Sequence, residues 1–249
     1  MLYLRKKNAF NGTPYSKSSP PDWAARFKKL AAQAKDPRLQ SFYNAGTVDG
    51  DTPISKVPLV AMDFETTGLD PESNGIVSIG LVPMDLNRIR CSGAQHWILK
   101  PREELSSESI VIHGITHSEV ARAPDIIRIL DELLKALAGK VVVVHHRGIE
   151  RPFLNAELLN RIGEGCEFPV IDTMELEARV YRSKPRGIVD RLLGRHPTSI
   201  RLADSRARYN LPFYSPHHAL TDALASAELL QAQIADRYSP DTPIKELWK

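Results

Sequence analysis

The sequence predicts an α/β domain built on a mixed β-sheet. Three observations carry this expectation. Apolar, β-branched segments follow one another at short spacing from Leu59 to Leu99, helical and extended patterns alternate after them, and the run Val141 to Val144 has the unbroken apolar character of a strand buried on both faces. Ahead of these, residues 1 to 20 are polar and basic and end in Ser-Ser-Pro-Pro, the composition of a mobile arm. Asp22 is placed to cap a helix whose stripe is Trp23, Phe27, Leu30, Ala31 and Ala34. That stripe must be buried, either on the chain's own domain or on a protein partner. Gly46 to Lys56 reads as a linker, so the expected organisation is a basic N-terminal extension over 1–56, a folded domain over 57–237 and a C-terminal tail over 238–249.

Within the folded domain, Leu59 to Gly68 is the first strand, with Asp63 and Glu65 on one face beside Leu59 and Ala61. Gly75 to Met84 and Ile89 to Leu99 complete an antiparallel meander, and a loop follows with His-Gly-Ile-Thr at His113 to Thr116. Pro124 and Asp125 open an amphipathic helix in which Ile127, Leu130, Leu134 and Leu137 recur, and Gly139 stops it. After the valine run, Gly148 to Ile162 is helical, with Pro152 accommodated as a first-turn residue. Pro169 to Asp172 is a short strand leading into a helix through Tyr181. Residues 183 to 216 are rich in Arg and Pro, with a short helix near Ile200 to Tyr209. The last helix runs from about Ala219 to Ala235 on a stripe of Leu220, Ala223, Leu224, Ala227, Leu230 and Ile234.

Apolar content of 42% and charged content of 25% are those of an ordinary globular chain and exclude fibrous or wholly disordered classes. No apolar run approaches the ~20 residues of a membrane-spanning helix, and the N-terminus lacks the apolar core of a secretory signal, so the cytoplasm is the expected location. Cys91 and Cys166 stand far apart without metal-ligand spacing, which argues against a disulfide framework or a zinc site. The net charge of +3 hides an asymmetry: residues 1 to 40 hold nine Lys/Arg against two Asp/Glu, which leaves 24 against 28 for the remainder. A basic head on a mildly acidic body is suited to a polyanion such as nucleic acid, although solvated basic tails are also common.

Two neighbouring carboxylates at the end of a buried strand are costly unless a cation sits between them or the acids simply reach solvent as the chain turns at Thr66, Thr67 and Gly68. Other acids arrive where sheet sites form, at the carboxyl ends of strands. Glu150 follows the valine strand and Asp222 lies in the first turn of the last helix, where the positive helix end alone would also favour an acid. His217 precedes Asp222 on a loop, well suited to take a proton from water, with His218 beside it as a decoy.

The segments Asp-Phe-Glu-Thr-Thr-Gly from Asp63, Val-Val-Val-Val-His-His-Arg-Gly-Ile-Glu from Val141 and His-His-Ala-Leu-Thr-Asp from His217 occur in one order with the expected elements between them. In this the chain resembles the DnaQ-like 3′–5′ exonuclease superfamily with four acidic residues and a histidine, over roughly residues 57 to 237. The resemblance implies an RNase H-like fold. It assigns Asp63, Glu65, Glu150 and Asp222 as metal-binding acids and His217 as general base, since the family's histidine stands five residues before its aspartate. It places the terminal nucleotide against Thr66, Gly68, Leu69, Ile112 and His113, and it includes the Asp-Thr pair at Asp172. The second motif departs from the family pattern: His145-His146 stand for His-Asn, and Ile149-Glu150 for Phe-Asp, which extends that carboxylate by one methylene.

The expected cofactors are two Mg²⁺ or Mn²⁺ ions, because the ligands are hard oxygens. One ion would acidify a water and the other would steady the leaving 3′ oxygen. The expected partners are single-stranded 3′ ends of DNA or RNA, with a further protein partner for the N-terminal helix and no membrane. A catalytically inactive nucleic-acid-binding module is the competing expectation. Its signature would be loss of an acid, and all four positions are acidic. The short segment after the last helix favours stand-alone trimming over polymerase proofreading.

Overall fold

The protein, seen in a computed structural model, is described for residues 21–103, 114–182 and 197–249. The arm at 1–20, the candidate residues Ile112 and His113, and residues 183–196 of the Arg/Pro-rich stretch lie outside the described residues. Five strands form one sheet in the order β3-β2-β1-β4-β5. Strands β1 (Leu59–Thr66), β2 (Ile76–Met84) and β3 (Gln95–Ile98) are antiparallel, while β4 (Val141–Val144) and β5 (Val170–Asp172) run parallel to β1. The expected mixed sheet is therefore present, and the direction of chain travel across it reverses at β1, the kind of switch point at which α/β sheets build sites.

The third strand is shorter than the pattern Ile89 to Leu99 suggests. Asp85 accepts from the backbone N–H groups of Asn87 and Arg88 and makes a tight turn. Ile89 bridges Met84, and a 3₁₀ turn at Cys91–Gly93 then breaks the ladder before Gln95.

Residues 21–56 are part of the main core. Helix α1 (Trp23–Gln33), capped by Asp22 as expected, packs on α2 (Pro37–Asn44), and Trp23, Phe27, Leu39, Phe42, Tyr43 and Ile54 join the same buried cluster as the sheet. The apolar stripe of α1 is thus buried on the chain's own domain, at about 1.5–3 kcal/mol for each large side chain, and is not left open for a partner. Helix α2 escaped the sequence reading although Asp36-Pro37 carries its signal: Asp36 caps it and Pro37 opens it. The last residues are also integrated. Ile244, Leu247 and Trp248 are buried, and the Lys249 carbonyl accepts from the Trp23 indole at 3.1 Å and from Arg151 at 2.7 Å.

Among the described residues, five further helices precede the last one. Helix α3 (His117–Arg122), unforeseen, starts at a reciprocal capping box between Thr116 and Glu119. Helix α4 (Ile126–Leu137), capped by Asp125, buries Ile126, Leu130, Leu133, Leu134 and Leu137. Helix α5 (Arg147–Ile162) begins one residue earlier than expected, and Pro152, its sixth residue and the fifth even from Gly148, stands in the second turn, not the first. Its ring therefore removes one intrahelical hydrogen bond. Helix α6 (Thr173–Tyr181) follows β5, and α7 (Leu202–Arg208) matches the expected short helix. Helix α8 (Ala219–Arg237) lies across β1, β2 and β4. Among the described residues no helix is long and apolar enough to cross a membrane.

Candidate active site

Alternation along β1 sends Asp63 and Glu65 to one face, and antiparallel pairing sets Gly80 opposite Asp63 and Ser78 opposite Glu65. The register slips between Glu65 and Thr66, a bulge that ends the ladder beside the acids. His96 on β3 pairs with Gly80, and its Nε2 lies 2.7 Å from the Ser78 hydroxyl.

Gly80 decides how α8 reaches this face. A Cβ at Gly80 would come within 2.4 Å of the Ala219 carbonyl carbon and the Leu220 nitrogen, so the first turn of α8 rests on bare strand backbone. That contact suspends Asp222 over β1. Gly80→Ala should force backbone to move, at about 1–3 kcal/mol of stability, and displace Asp222 enough to cut turnover about 10²-fold. A thermal melt paired with kcat checks this, and full activity in the variant would show that the close approach is dispensable.

The acids converge. One ligand atom from each of Glu65, His217 and Asp222 lies within 4.8 Å of the others. Burial first, and then the charges of Glu65, Glu150 and Asp222, hold the Asp63 carboxyl well above the usual range, which places all four acids in one electrostatic cluster. Asp222 is raised chiefly by burial, against the His217 N–H that donates to its Oδ2 at 2.8 Å. Glu150, 2% exposed, is raised chiefly by burial, with the charge of Asp172 adding to it. Its Oε2 is buried without a hydrogen-bond partner among the described residues. Crowded carboxylates that suppress one another's ionisation, with one oxygen left unsatisfied, fit a divalent cation.

The backbone delivering Glu150 is held by Asp172. Its carboxylate accepts from the N–H groups of His146 (3.0 Å) and Arg147 (3.1 Å) and from Met174 and Glu175 at the start of α6. It thereby locks His146 in a left-handed conformation, φ 104°, just before α5. Asp172 positions Glu150 and caps α6. His145 is a buried structural histidine: its Nε2 faces the Ile200 carbonyl, an acceptor only, so that nitrogen carries the proton. Burial pushes His145 down to about 4.

The two adjacent histidines before α8 part company. His217, exposed and at φ 72°, is grouped with the acids. His218 caps α8, accepting from Thr221 N–H, and its ring lies 4.8 Å from that of His96. His96 was missed in the sequence because no motif marks it; only strand register brings it here. Of the expected nucleotide contacts, Thr66 donates from Oγ1 to the Gly68 carbonyl at 2.6 Å, and Leu69 is 61% exposed at the turn after β1. Thr67 N–H donates to the Gly75 carbonyl at 3.0 Å, tying that turn to the start of β2.

With this geometry in place, residues 60–230 match the family model described as exonuclease, of the RNase T group. The chain belongs to this exonuclease family. Among relatives of the exonuclease domain, it is 28% identical over 179 residues to the PolC-type DNA polymerase III of Thermotoga petrophila, covering 72% of this chain and 12% of that protein. It is 32% identical to a DNA polymerase III subunit epsilon-like protein of Rhodobacter capsulatus, covering 72% of this chain and 24% of the relative. The chain thus spans a quarter or less of these two curated relatives. Its fold resembles the solved nuclease domain of 3′hExo, a DEDDh family member bound to rAMP, with a TM-score of 0.59, 19% identity, and coverage of 72% of this chain and 92% of that one. At that identity the likeness concerns the fold alone.

Proposed function

We propose that this exonuclease-family chain removes nucleotides one at a time from the 3′ end of single-stranded DNA or RNA, releasing nucleoside monophosphates with the help of Mg²⁺ or Mn²⁺. The observation that carries the reading is the convergence of Glu65, His217 and Asp222 within 4.8 Å, together with an Asp63 whose ionisation is suppressed by burial and then by its acidic neighbours. Asp63, Glu65 and Asp222 would hold the cations through hard carboxylate oxygens, with Glu150 in support. Bound there, a pair of such ions supplies charge for the leaving 3′ oxygen and a water acidic enough to attack at neutral pH.

The residues do the rest. His217, on an exposed loop tied to Asp222 through its own N–H, takes the proton of the attacking water. The new oxygen–phosphorus bond forms as the bond to the 3′ oxygen of the preceding nucleotide breaks. Thr66, Gly68 and Leu69 receive the terminal nucleotide; Ile112 and His113, assigned to the same nucleotide by the resemblance, lie outside the described residues. The rAMP bound by the nuclease domain of 3′hExo is in keeping with a nucleotide product.

Digestion of 5′-labelled single-stranded DNA and RNA tests this. A ladder shortening from the 3′ end in Mg²⁺ or Mn²⁺, abolished by chelator and by a blocked 3′ terminus, is expected. Digestion of the blocked oligonucleotide would refute the direction, and binding without digestion would favour a catalytically silent module.

A further inference from the structure

Phe213 is 80% exposed, one of three large apolar side chains so placed among the described residues. Its neighbours are firmly held. Asn210, at φ 54°, turns the chain out of α7, and Leu211 N–H donates to the Arg206 carbonyl at 3.1 Å. The buried Arg206 guanidinium donates to the carbonyls of Pro212 at 2.9 Å and Ala225 at 2.7 Å, pairs with Glu228 at 2.7 Å and lies 4.6 Å over the Tyr214 ring. Tyr214 in turn donates from its hydroxyl to Glu228 at 2.9 Å. The residues on either side of Phe213 are therefore bolted to α7 and α8, while its ring is left in water.

The position of that ring gives it a use. Phe213, Tyr214, Pro216 and Asp222 line one cavity of ≈ 80 Å³, so the ring stands at the rim of a depression that reaches the acidic centre, four residues before His217. The cavity is too small to take in a nucleobase, and a base would have to lie on the ring. A preorganised aromatic face beside a single-strand site offers stacking to any base, because every base has a π-face. The terminal nitrogens of Arg206 are buried against internal partners, and Phe213 is the aromatic face this loop presents to solvent.

We propose that Phe213 stacks on a nucleobase of the single-stranded substrate other than that of the nucleotide being released. The proposal rests on the exonuclease reading above. The test compares wild type with Phe213→Ala, Phe213→Leu and Phe213→Trp on a single-stranded oligonucleotide and on the p-nitrophenyl ester of thymidine 5′-monophosphate, which carries one base only. Phe213→Ala should raise KM for the oligonucleotide about 5- to 100-fold, leave kcat unchanged and leave the ester untouched. Trp should restore KM and Leu should not. In chelator, wild type but not Phe213→Ala should quench 2-aminopurine placed at the penultimate position. An unchanged oligonucleotide KM, an equal rise on both substrates, or rescue by Leu would overturn the stacking role while exonuclease action stood. A wild type inert on both substrates would overturn both.

Discussion

Asp63→Asn is expected to lose nearly all hydrolysis and yet melt at a higher temperature than wild type in chelator at neutral pH. Both effects come from one arrangement. Asp63 is buried, and the charges of Glu65, Glu150 and Asp222 are felt there together, so its carboxyl is held well above its unfolded value of 3.8. An acid raised on folding binds more protons folded than unfolded, so its contribution is fully present below the unfolded pKa and is lost as pH rises through the folded pKa. Asp222 and Glu150 shift the same way. Cation-free wild type should therefore lose melting temperature as pH is raised from about 4.5 toward 8, and saturating Mn²⁺ should reverse the trend. Asparagine removes one of the mutually repelling charges and flattens the profile. For a chain of this size each 1 kcal/mol moves the melting temperature by about 2–4 °C. With a cation ligand gone, turnover should fall about 10³-fold or more. Near-normal digestion, or a lower melting temperature in chelator, would sink this account of the site.

His217→Ala is expected to lower kcat about 10²–10⁴-fold, the range for a positioned general base. The hydrogen bond to Asp222 uses the backbone N–H of His217 and survives the substitution, so the loop should keep its shape. The imidazole is also close enough to the acids to act as a ligand, and melting separates the roles. A base variant keeps the full Mn²⁺-induced rise in melting temperature, and a ligand variant loses much of it. His218→Ala is the matched comparison. It removes the cap of α8, worth about 0.5–2 kcal/mol, and the ring beside His96, but should retain most of the rate. A larger rate loss from His218 than from His217 would exchange their roles.

Much of this was legible residue by residue. Period-two alternation from Leu59 put Asp63 and Glu65 on one face, and the five-residue interval from His217 to Asp222 identified a loop histidine ahead of a helical acid. Caps such as Asp22 and Asp125 were read correctly because an N-cap bond is made within three residues. Helix α2 and the capping box of α3 were equally local and were overlooked. The start of α5 one residue ahead of Gly148 goes with Asp172, a residue distant in sequence that holds the His146 and Arg147 N–H groups.

The sequence by itself carried most of the elements, through periodicity and caps that a short segment holds, while the family and the acids assigned to it rest on the resemblance of three motifs in one order. Only the tertiary structure decided that Glu65, His217 and Asp222 meet within 4.8 Å, that His96 joins His218, and that residues 21–56 close the same core. The physical reason is that like charges have no local preference for one another. Asp222 is brought to the acids of β1 by α8 settling on the bare backbone of Gly80, a contact that joins segments far apart in the chain.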